Sequence, residues 1–527
     1  MPTEFYNTLR HDLERFTPLA SGPDAANPLA GATVLLYTCG PTVYDYAHIG
    51  NFRAFLFADI LRRYLEFRGA TVRHVMNMTD VGHMTDDALA DAAGQDKLEV
   101  AVARMRESKK AGKAPVENPN DPRQVAQYFI EAFKDDARLL RLKVVSDADA
   151  QVDDAARERI MPRPTRHIPE FIAMIQTLLE KKHAYVGADG VVYFDVSSFS
   201  EYGRLSGNSL EQLSHGAGGR ANQQAAKRNP ADFFLWKPDG RHLMRWNSPW
   251  GEGYPGWHIE CSAMAAEILG PSIDIHTGGE DNIFPHHECE IAQSEAATGK
   301  TFAQFWMHTR HLMVNGEKMS KSRGNFFTIR DLIAKGYDPL VVRWALVSTR
   351  YRESMNFTLH GLQDAAAALG TLRDLGERLA LSVAAVDEAA GERDDQRDPE
   401  PQEQAMLNEF TMAMDDDLNT SAALAAVFTW AAMINKQKKL PFPQARSALA
   451  ALKKIDLVLA VIFEPLLPVE EDRAVEIETL MTLRGQARAA KDFAQSDALR
   501  RQLAALGAEV KDQPGGSAWR PRLAPAP

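Results

Sequence analysis

Near its amino terminus the sequence runs Thr33-Val34-Leu35-Leu36-Tyr37-Thr38, a segment rich in apolar and β-branched residues. Such a segment is typical of a strand buried in a parallel sheet. Apolar residues then recur at helical spacing from Phe52 to Phe67, and Gly69 precedes a second strand-like segment at residues 71–76. A glycine just past a periodic segment is a helix stop. The order strand, loop, helix, strand predicts an α/β fold with a parallel sheet.

The loop after the first strand carries two candidate functional residues. In open α/β sheets, ligands bind where loops leave the carboxyl ends of the strands. Cys39 directly follows the first strand, and His48 lies further along the same loop, where the next helix is predicted to begin. The start of a helix suits phosphate oxygens, because its N–H groups are unpaired and its dipole is positive there. We expect both residues at the functional edge of the sheet, with a plain connecting loop as the alternative.

A second phosphate-binding candidate lies much further along the chain, at Lys318-Met319-Ser320-Lys321-Ser322. Two ammonium groups three residues apart on a small loop can close on a polyphosphate, although a solvated basic turn is the favoured interpretation for such a pair by itself. Together with Tyr44-Asp45-Tyr46-Ala47-His48-Ile49-Gly50-Asn51, the loop resembles the paired signatures of class I aminoacyl-tRNA synthetases. Lys321 is the first candidate for contact with ATP phosphates.

Composition limits the classes of protein that remain. With 45% apolar and 25% charged residues in 527, the chain is typical of globular protein with about three or four domains. The formal net charge of −11 argues against a protein that coats nucleic acid nonspecifically. Three cysteines cannot form a disulfide framework for so long a chain. Met1–Phe5 lacks the basic start and apolar run of a signal peptide. Apolar runs such as Leu457–Phe463 are far shorter than a membrane span. These features predict a cytoplasmic protein without membrane association.

The predicted architecture is a Rossmann-like parallel-sheet catalytic domain with an inserted domain, followed by an α-helical bundle and a small carboxyl-terminal domain. With the domain roles that the resemblance to class I synthetases implies, we predict these boundaries: residues 1–165 for the first half of the catalytic domain, 166–254 for an inserted connective domain, 255–315 for the second half, 316–353 for the lysine loop and stem-contact region, 354–470 for the helical bundle with an acidic linker at 386–404, and 473–527 for the anticodon-binding domain. Residues 92–126, rich in Lys, Glu, Pro and Asn, are predicted to be an exposed insertion without chemistry. Helical periodicity is predicted at 125–142 and 168–179, and a strand at 191–196.

A metal site is suggested by residue types and spacing. His286 and Glu290 are four residues apart after Pro285, so a helix that begins at this proline places both on one face. Both are zinc-ligand types, and Cys39 and Cys261 can complete a site of two thiolates, one imidazole and one carboxylate. Spacing alone leaves this open, because Cys289 competes for the same role and a lone buried cysteine is often just a small apolar residue.

Three segments carry a closer resemblance, to the cysteinyl-tRNA synthetase family. They are residues 37–45 (Tyr-Thr-Cys-Gly-Pro-Thr-Val-Tyr-Asp), residues 256–262 (Gly-Trp-His-Ile-Glu-Cys-Ser) and residues 284–290 (Phe-Pro-His-His-Glu-Cys-Glu). The resemblance spans nearly the whole chain. It implies one zinc ion held by Cys39, Cys261, His286 and Glu290, which binds the substrate cysteine through its sulfur. It also implies that Cys289 is a bystander.

The resemblance implies a two-step ligase reaction. Cysteine attacks the α-phosphate of ATP, which we expect to carry Mg²⁺, and gives cysteinyl-adenylate and pyrophosphate. The terminal ribose of tRNA(Cys) then takes the cysteinyl group. Such chemistry depends mainly on positioning and charge stabilisation, which suits His48, Lys318 and Lys321 as catalytic residues. ATP binding is expected at His48, Gly50, Asn51, Lys318 and Lys321, in a monomeric protein. Asn51 replaces a second histidine common in the wider class and cannot become cationic near neutral pH, and a helix cap is its alternative role.

The amino-acid pocket is implied by resemblance at Gly40, Thr79, Trp257 and Asp281, with His276 close by. A core position for Trp257 and a turn position for Asp281 remain the alternatives. The segment from residue 473 onward is locally basic, with nine Arg or Lys against six Asp or Glu. Within it, Trp519 beside Arg520 and Arg522 suits unpaired anticodon bases, or else fills a small core.

Two other functions fit part of the pattern. A zinc-dependent ligase that joins cysteine to an aminosugar shares the core but generally lacks the carboxyl-terminal RNA-reading part. A noncatalytic paralogue that binds tRNA is the other, and the presence of His48, Lys318 and Lys321 argues against it.

Overall fold

A computed structural model describes residues 2–22, 27–86, 93–110, 115–209, 226–319, 323–390, 399–437, 440–513 and 516–525. The chain divides by its contacts into two compact units. The first unit extends to His311 and also contains Tyr351–Glu353 and Asp415–Leu418, and the second contains the rest.

The first unit alternates strands and helices. Its strands are β1 (Glu4–Asn7), β2 (Asp12–Arg15), β3 (Thr33–Thr38), β4 (Thr71–Met76), β5 (Met84–Asp86), β6 (Ala93–Asp96), β7 (Ala184–Val186), β8 (Val192–Phe194), β9 (Phe233–Pro238), β10 (Gly253–Pro255), β11 (Ile273–Gly279) and β12 (Ala303–Thr309). Its helices are α1 (Ile49–Phe67), α2 (Lys97–Lys110), α3 (Pro122–Leu139), α4 (Lys143–Asp149), α5 (Asp154–Glu158), α6 (Ile168–Glu180), α7 (Trp257–Ile268) and α8 (Glu288–Thr298).

The centre of the first unit is a parallel sheet of four strands in the order β12-β11-β3-β4. Strands β3 and β4 have the bounds that the sequence predicts, since both are runs of apolar and β-branched residues that end at turns. Helix α1 connects them and buries Phe52, Leu56, Ile60 and Tyr64. The Rossmann-like fold is therefore confirmed, and the carboxyl ends of β3 and β11 lie side by side in the sheet.

The inserted part forms an antiparallel sheet of four strands in the order β10-β9-β8-β7. Helix α6 begins as predicted at Ile168, and its buried face of Phe171, Ile175 and Leu178 packs in one core cluster with Phe194 of β8. This cluster also contains residues of α7 and α8, so the inserted part and the second half of the catalytic fold share a core.

Residues 93–110 differ from the prediction of an exposed insertion. Helix α2 buries Leu98, Ala101, Val102 and Met105, which repeat at three- and four-residue spacing on one face. Charged residues between them lower the mean hydropathy of the segment and hide this narrow apolar face from a composition argument. The prediction was wrong for this helix, which packs against α3.

A second difference concerns the start of the helix that carries Glu290. Residues Ile283–His287 form a π-helical turn in which Phe284 has extended backbone angles (φ −135°, ψ 133°), and α8 begins only at Glu288. Pro285 therefore does not start a regular helix, because the extended residue before it breaks the hydrogen-bond pattern. His286 precedes the helix but still reaches Glu290 across the turn.

The second unit contains a small sheet, a set of helices and a carboxyl-terminal hairpin. Its strands are β13 (Leu312–Val314), β14 (Glu317–Lys318), β15 (Met355–Phe357), β16 (Ala508–Gln513) and β17 (Gly516–Pro521). Its helices are α9 (Ile329–Ala334), α10 (Pro339–Val347), α11 (Leu359–Ala390), α12 (Pro401–Asp415, with its last residue in the first unit), α13 (Thr420–Lys436), α14 (Phe442–Leu459), α15 (Glu471–Ala489) and α16 (Phe493–Ala505). Because α11 extends to Ala390 and α12 begins at Pro401, the acidic linker is shorter than the predicted 386–404, and residues 391–398 lie outside the described part.

In the described part of the chain, no helix combines the length and the apolar character that crossing a membrane requires.

Candidate active site and metal centre

The first unit brings the four implied metal ligands together from three elements. Cys39 follows β3, Cys261 lies on α7, and Glu290 lies on α8 just after His286. The Cys39 and Cys261 sulfurs are 3.7 Å apart, and the Cys39 sulfur is 3.4 Å from Glu290 Oε1. His286 Nε2 lies 3.1 Å from the same carboxylate oxygen. All four side chains are buried, and their ligand atoms lie within 4.8 Å of one another.

These separations agree with tetrahedral zinc. Zinc–sulfur bonds of about 2.3 Å and zinc–nitrogen or zinc–oxygen bonds of about 2.0–2.1 Å require ligand atoms about 3.3–3.8 Å apart. Two thiols, one imidazole and one carboxylate are also a donor set that zinc accepts. The residues present therefore fit the metal that the sequence predicts.

A second group of donors overlaps the first. It combines Cys39 and Glu290 with His276 and His287, again within 4.8 Å. His276 Nε2 lies 2.9 Å from Glu290 Oε2, and His287 Nε2 lies 3.3 Å from the Cys39 sulfur. The sequence prediction placed His276 near the pocket but missed His287. The only sequence signal for His287 is that it adjoins His286, and a pair of adjacent histidines does not indicate which of them faces the other metal-ligand candidates.

Burial controls the protonation of the group. Burial, and then repulsion from His258, lowers the pKa of His286 well below its usual range. Burial followed by the neighbouring His276 does the same to the pKa of His287. Burial and then Cys261 raise the pKa of the Cys39 thiol well above its usual range. The imidazoles are neutral, as metal ligands must be, whereas the thiol requires a cation to lose its proton.

His258 orients one of the implied ligands. Its Nδ1 lies 2.9 Å from Nδ1 of His286, whose Nε2 faces Glu290. With Nε2 presented as the metal donor, Nδ1 of His286 carries the ring proton and donates it to His258. A hydrogen bond to the second ring nitrogen fixes the tautomer and the plane of a metal-binding imidazole.

Cys289 lies away from the donor group. Its side chain is buried in the core cluster that α7 and α8 share with the inserted sheet, and its sulfur lies 3.4 Å from the Tyr202 hydroxyl. Neither of the two donor groups includes it.

The predicted pocket residues Gly40 and Thr79 lie on adjoining backbone segments. The Gly40 N–H donates to Asn77 Oδ1 at 2.9 Å, and a Cβ at Gly40 would stand only 1.7 Å from the Asn77 carbonyl oxygen. Only glycine permits this approach. Thr79 is buried, and its hydroxyl accepts a hydrogen bond from the Asn77 amide at 2.9 Å. The loop after β3 is thus tied to the loop after β4.

Trp257 and Asp281 stand in different surroundings. Trp257 is partly buried at the start of α7, and its indole stacks on the His286 ring with centroids 4.0 Å apart. This contact connects it directly with an implied ligand. Asp281 is exposed in a short 3₁₀ turn after β11, with its carboxylate against Gly279.

The predicted helix start at His48 is confirmed. His48 is the N-cap of α1, and its Nδ1 accepts a hydrogen bond from the Asn51 N–H at 3.1 Å. The Asn51 side chain accepts in turn from the His48 N–H at 3.1 Å, which completes a capping box. Asn51 therefore fills a capping role from inside the helix, and the ring proton of His48 resides on Nε2.

The two lysines of the predicted loop belong to the second unit. Lys318 ends strand β14 and is exposed, and its carbonyl accepts a hydrogen bond from the Asn325 amide at 3.2 Å. Lys321 lies outside the described residues.

The carboxyl-terminal hairpin differs from the expected phosphate-binding surface at one position. The Arg520 guanidinium contacts three carboxylates, those of Glu509, Asp374 and Glu377, at 2.7–2.8 Å. Its charge is therefore already paired. The Trp519 indole N–H donates to Glu478 at 2.6 Å, and its ring packs against the small core of this hairpin and α15.

Comparison with known families gives a consistent assignment along the chain. Residues 25–367 match the catalytic domain of class I (C) tRNA synthetases, residues 409–464 match the DALR domain, and residues 471–520 match the cysteinyl-tRNA ligase anticodon-binding domain.

Curated relatives match over their full length. The cysteine–tRNA ligase of Salinibacter ruber is 40% identical over 547 aligned residues, covering 98% of this chain and 98% of that protein. The cysteine–tRNA ligase of Symbiobacterium thermophilum is 41% identical over 532 aligned residues, covering 99% of this chain and all of that protein.

Solved structures are similar in fold at low identity. Methionyl-tRNA synthetase of Mycobacterium tuberculosis in complex with methionyl-adenylate superposes with a TM-score of 0.52 at 15% identity, over 88% of this chain and 96% of that one. The LeuRS of an Agrobacterium radiobacter ternary complex gives a TM-score of 0.53 at 11% identity, over 85% of each chain.

Proposed function

This chain belongs to the cysteine–tRNA ligase family of class I tRNA synthetases, and we propose that it selects its amino acid through zinc held by Cys39, Cys261, His286 and Glu290. Family membership makes the protein an ATP-dependent ligase that joins cysteine to tRNA. The observation that carries the proposal is the convergence of two thiols, one imidazole and one carboxylate, all buried, within 4.8 Å. These residues would hold zinc, which would supply a Lewis acid that prefers sulfur to oxygen and promotes loss of a thiol proton.

Selectivity for cysteine over serine gives a physical reason for this arrangement. The two amino acids differ by one sulfur-for-oxygen exchange, and a pocket that relies on shape rejects such near-isosteres by only about 10- to 200-fold. Cys39 and Cys261 are sulfur donors, and a site rich in sulfur retains a metal that favours a further sulfur. Selection by donor chemistry therefore reduces the need for a separate editing site.

Four residues are proposed to line the amino-acid pocket: Gly40, Thr79, Trp257 and Asp281. The stack of Trp257 on His286 supports a pocket position for Trp257, because it puts the indole beside an implied ligand. The ties of Gly40 and Thr79 to Asn77 support a rigid wall formed by the loops after β3 and β4. The exposed Asp281 carboxylate is available to the substrate ammonium group.

His48, Gly50 and Asn51 are proposed to bind ATP with Lys318 and Lys321. In support, the capping box holds His48 at the positive end of α1, with the ring proton on Nε2, where it can donate to a phosphate oxygen. The lysines are proposed to stabilise charge on the departing pyrophosphate, which is the kind of electrostatic contribution that phosphoryl chemistry needs. Mg²⁺ is proposed to accompany the nucleotide.

tRNA(Cys) is proposed as the acceptor. The match of residues 471–520 to an anticodon-binding domain favours it over an aminosugar. Because Arg520 is paired with carboxylates, we propose that exposed basic residues of α16, such as Arg500 and Arg501, meet the RNA backbone instead.

The test is exchange of labelled pyrophosphate into ATP by the zinc-loaded protein, with cysteine, with serine and without amino acid, in the absence of tRNA. We expect exchange with cysteine alone. Exchange with serine at a comparable rate would refute selection by the metal while leaving the ligase activity in place. No exchange from folded, zinc-loaded protein would favour the noncatalytic paralogue.

A further inference from the structure

Helix α2 reaches the predicted active-site loops through its first residue. Lys97 Nζ lies 2.7 Å from Nε2 of His83, and the Lys97 backbone N–H donates to the His83 carbonyl at 2.8 Å. The same ammonium lies 5.6 Å from the centre of the Tyr44 ring, within the range of a cation–π contact. Lys97 thus contacts the loop after β3 and the loop after β4, although the sequence predicts no chemistry for its segment.

The lysine determines which nitrogen of His83 carries the proton. An ammonium group only donates hydrogen bonds, so Nε2 of His83 must accept. Nδ1 then carries the ring proton, and it lies 2.5 Å from the Thr42 hydroxyl, which accepts it. Both ring nitrogens of His83 therefore form hydrogen bonds, one on each edge of the ring. These bonds fix the orientation and the tautomer of the imidazole, which is only 7% exposed.

The fixed face of His83 supports the indole of Trp257. The two rings are nearly parallel, with centroids 3.8 Å apart and an angle of 11° between planes. Trp257 stacks on its other side with His286, at 4.0 Å and 17°. The three rings form a continuous stack, His83–Trp257–His286, that runs from the inserted helix to an implied metal ligand.

The first turn of α2 is itself held against the same loop. Asp96 Oδ2 accepts from the Gly82 N–H at 3.0 Å, and Asp96 Oδ1 accepts from the Leu98 N–H at 2.6 Å. These bonds keep the backbone of residue 97 close to His83 whatever its side chain. A substitution of Lys97 therefore removes the ammonium without detaching the helix.

We propose that Lys97 is a positioning residue for cysteine binding: it fixes His83, which holds Trp257 flat against His286 at the side of the amino-acid pocket. The inference rests on the proposed function, since it takes Trp257 as a pocket wall. It assigns a role in amino-acid binding to the inserted helix α2. Of the four proposed zinc ligands only His286 touches the stack, so we expect zinc and ATP binding to depend on Lys97 less than cysteine binding does.

The test compares three variants of the full, zinc-loaded chain. Lys97→Met keeps the apolar stem and loses the donor, and Lys97→Arg restores a donor and a cation. Lys110→Met is the matched control, because Lys110 lies on the same helix, is 73% exposed and pairs with the equally exposed Glu107. Cysteine affinity is measured by calorimetry, and the KM values for cysteine and ATP by pyrophosphate exchange.

For Lys97→Met we expect cysteine binding and its KM to weaken about tenfold, as for loss of one charged hydrogen bond, with the KM for ATP and the zinc content unchanged. Lys97→Arg recovers most of the affinity, and Lys110→Met equals wild type. Wild-type cysteine affinity in Lys97→Met, or parallel losses for cysteine, ATP and zinc, would overturn the inference. If the wild-type chain binds cysteine but does not exchange pyrophosphate, only the proposed function is refuted, because calorimetry still ranks the variants by cysteine affinity. If the wild-type chain does not bind cysteine, both the proposed function and the role of Lys97 are refuted.

Discussion

Replacing Cys261 with serine tests the metal centre most directly. The substitution removes one of four donors and leaves a hydroxyl, which is a poor zinc ligand, in a site where the neighbouring Cys39 sulfur stands 3.7 Å away. Structural zinc sites bind with an apparent free energy of about 10–16 kcal/mol, so an equal share for each of four ligands is about 3 kcal/mol. We therefore expect zinc affinity to fall by a factor of about 100 or more, and cysteine-dependent pyrophosphate exchange to fall with it.

Cys289→Ser is the matched control. Cys289 is also a buried cysteine on a helix, and its sulfur lies 3.4 Å from the Tyr202 hydroxyl rather than beside another thiol. Zinc affinity is measured by competition with a chromophoric chelator, and exchange is measured at the same zinc concentration. Cys289→Ser is expected to keep both within about threefold, apart from a modest loss of stability.

The reasoning fails if Cys261→Ser retains zinc at wild-type affinity and activates cysteine normally. It also fails if Cys289→Ser loses zinc as severely as Cys261→Ser, because the loss would then reflect damage to the shared core of α7 and α8. Full loss of exchange in a Cys261→Ser chain that still holds zinc tightly would point to a role for this thiol other than metal binding.

Other predictions follow from charges and from the division of the chain. Burial raises the pKa of Asp80 to about 7. The folded state therefore holds this proton more tightly than the unfolded chain does, and the stability that the proton contributes is lost as pH rises from about 4 towards 7. In urea unfolding, Asp80→Asn should gain about 3 kcal/mol in stability relative to wild type between pH 5 and pH 8, and a pH-independent difference would contradict this. Asp417 is buried and accepts from Tyr6 N–H, the Tyr351 hydroxyl and Arg352 Nε, so Asp417→Asn should cost about 3 kcal/mol in the same assay, and a loss below 1 kcal/mol would refute the importance of the pairing. Lys321→Ala should slow pyrophosphate exchange about 100-fold with cysteine affinity intact, and unchanged exchange would remove it from the ATP site. Deleting residues 473–527 should abolish aminoacylation but leave exchange within about threefold, and equal loss of both would contradict the division of labour.

Much of the sheet could be predicted because its signals are local. The strand segments at 33–38 and 71–76 are continuous apolar and β-branched runs that end at turns, and they coincide with β3 and β4. Helix α2 could not be found in the same way, since its apolar face consists of Leu98, Ala101, Val102 and Met105 among charged neighbours. A narrow stripe is buried fully once another helix covers it, but its few apolar residues contribute little to composition.

The site was predictable in residue type and less so in geometry. Sequence gives the chemistry of Cys39, Cys261, His286 and Glu290, whereas the choice between His286, His287 and Cys289 depends on the backbone between residues 283 and 288. If a regular helix began at Pro285, the helical period would give the direction of each of these side chains from its position in the sequence. The π-helical turn with an extended Phe284 changes the phase, and tertiary packing rather than spacing decides which side chains face Glu290. The stack of His83 on Trp257 had no sequence signal, because its members lie far apart along the chain.

The contacts of Glu290 favour the proposed donor group over the group that overlaps it. Its Oε2 already accepts a hydrogen bond from Nε2 of His276 at 2.9 Å, while Oε1 faces the Cys39 sulfur and His286. Binding a metal through His276 would require that nitrogen to give up the proton that holds the carboxylate, and it would replace one of two sulfur donors with nitrogen. The group with Cys261 keeps both sulfurs and leaves His276 to orient Glu290, which is the usual work of the residues that surround metal ligands. The two groups overlap because the proposed ligands and the histidines that hydrogen-bond to them are buried against the same carboxylate, that of Glu290.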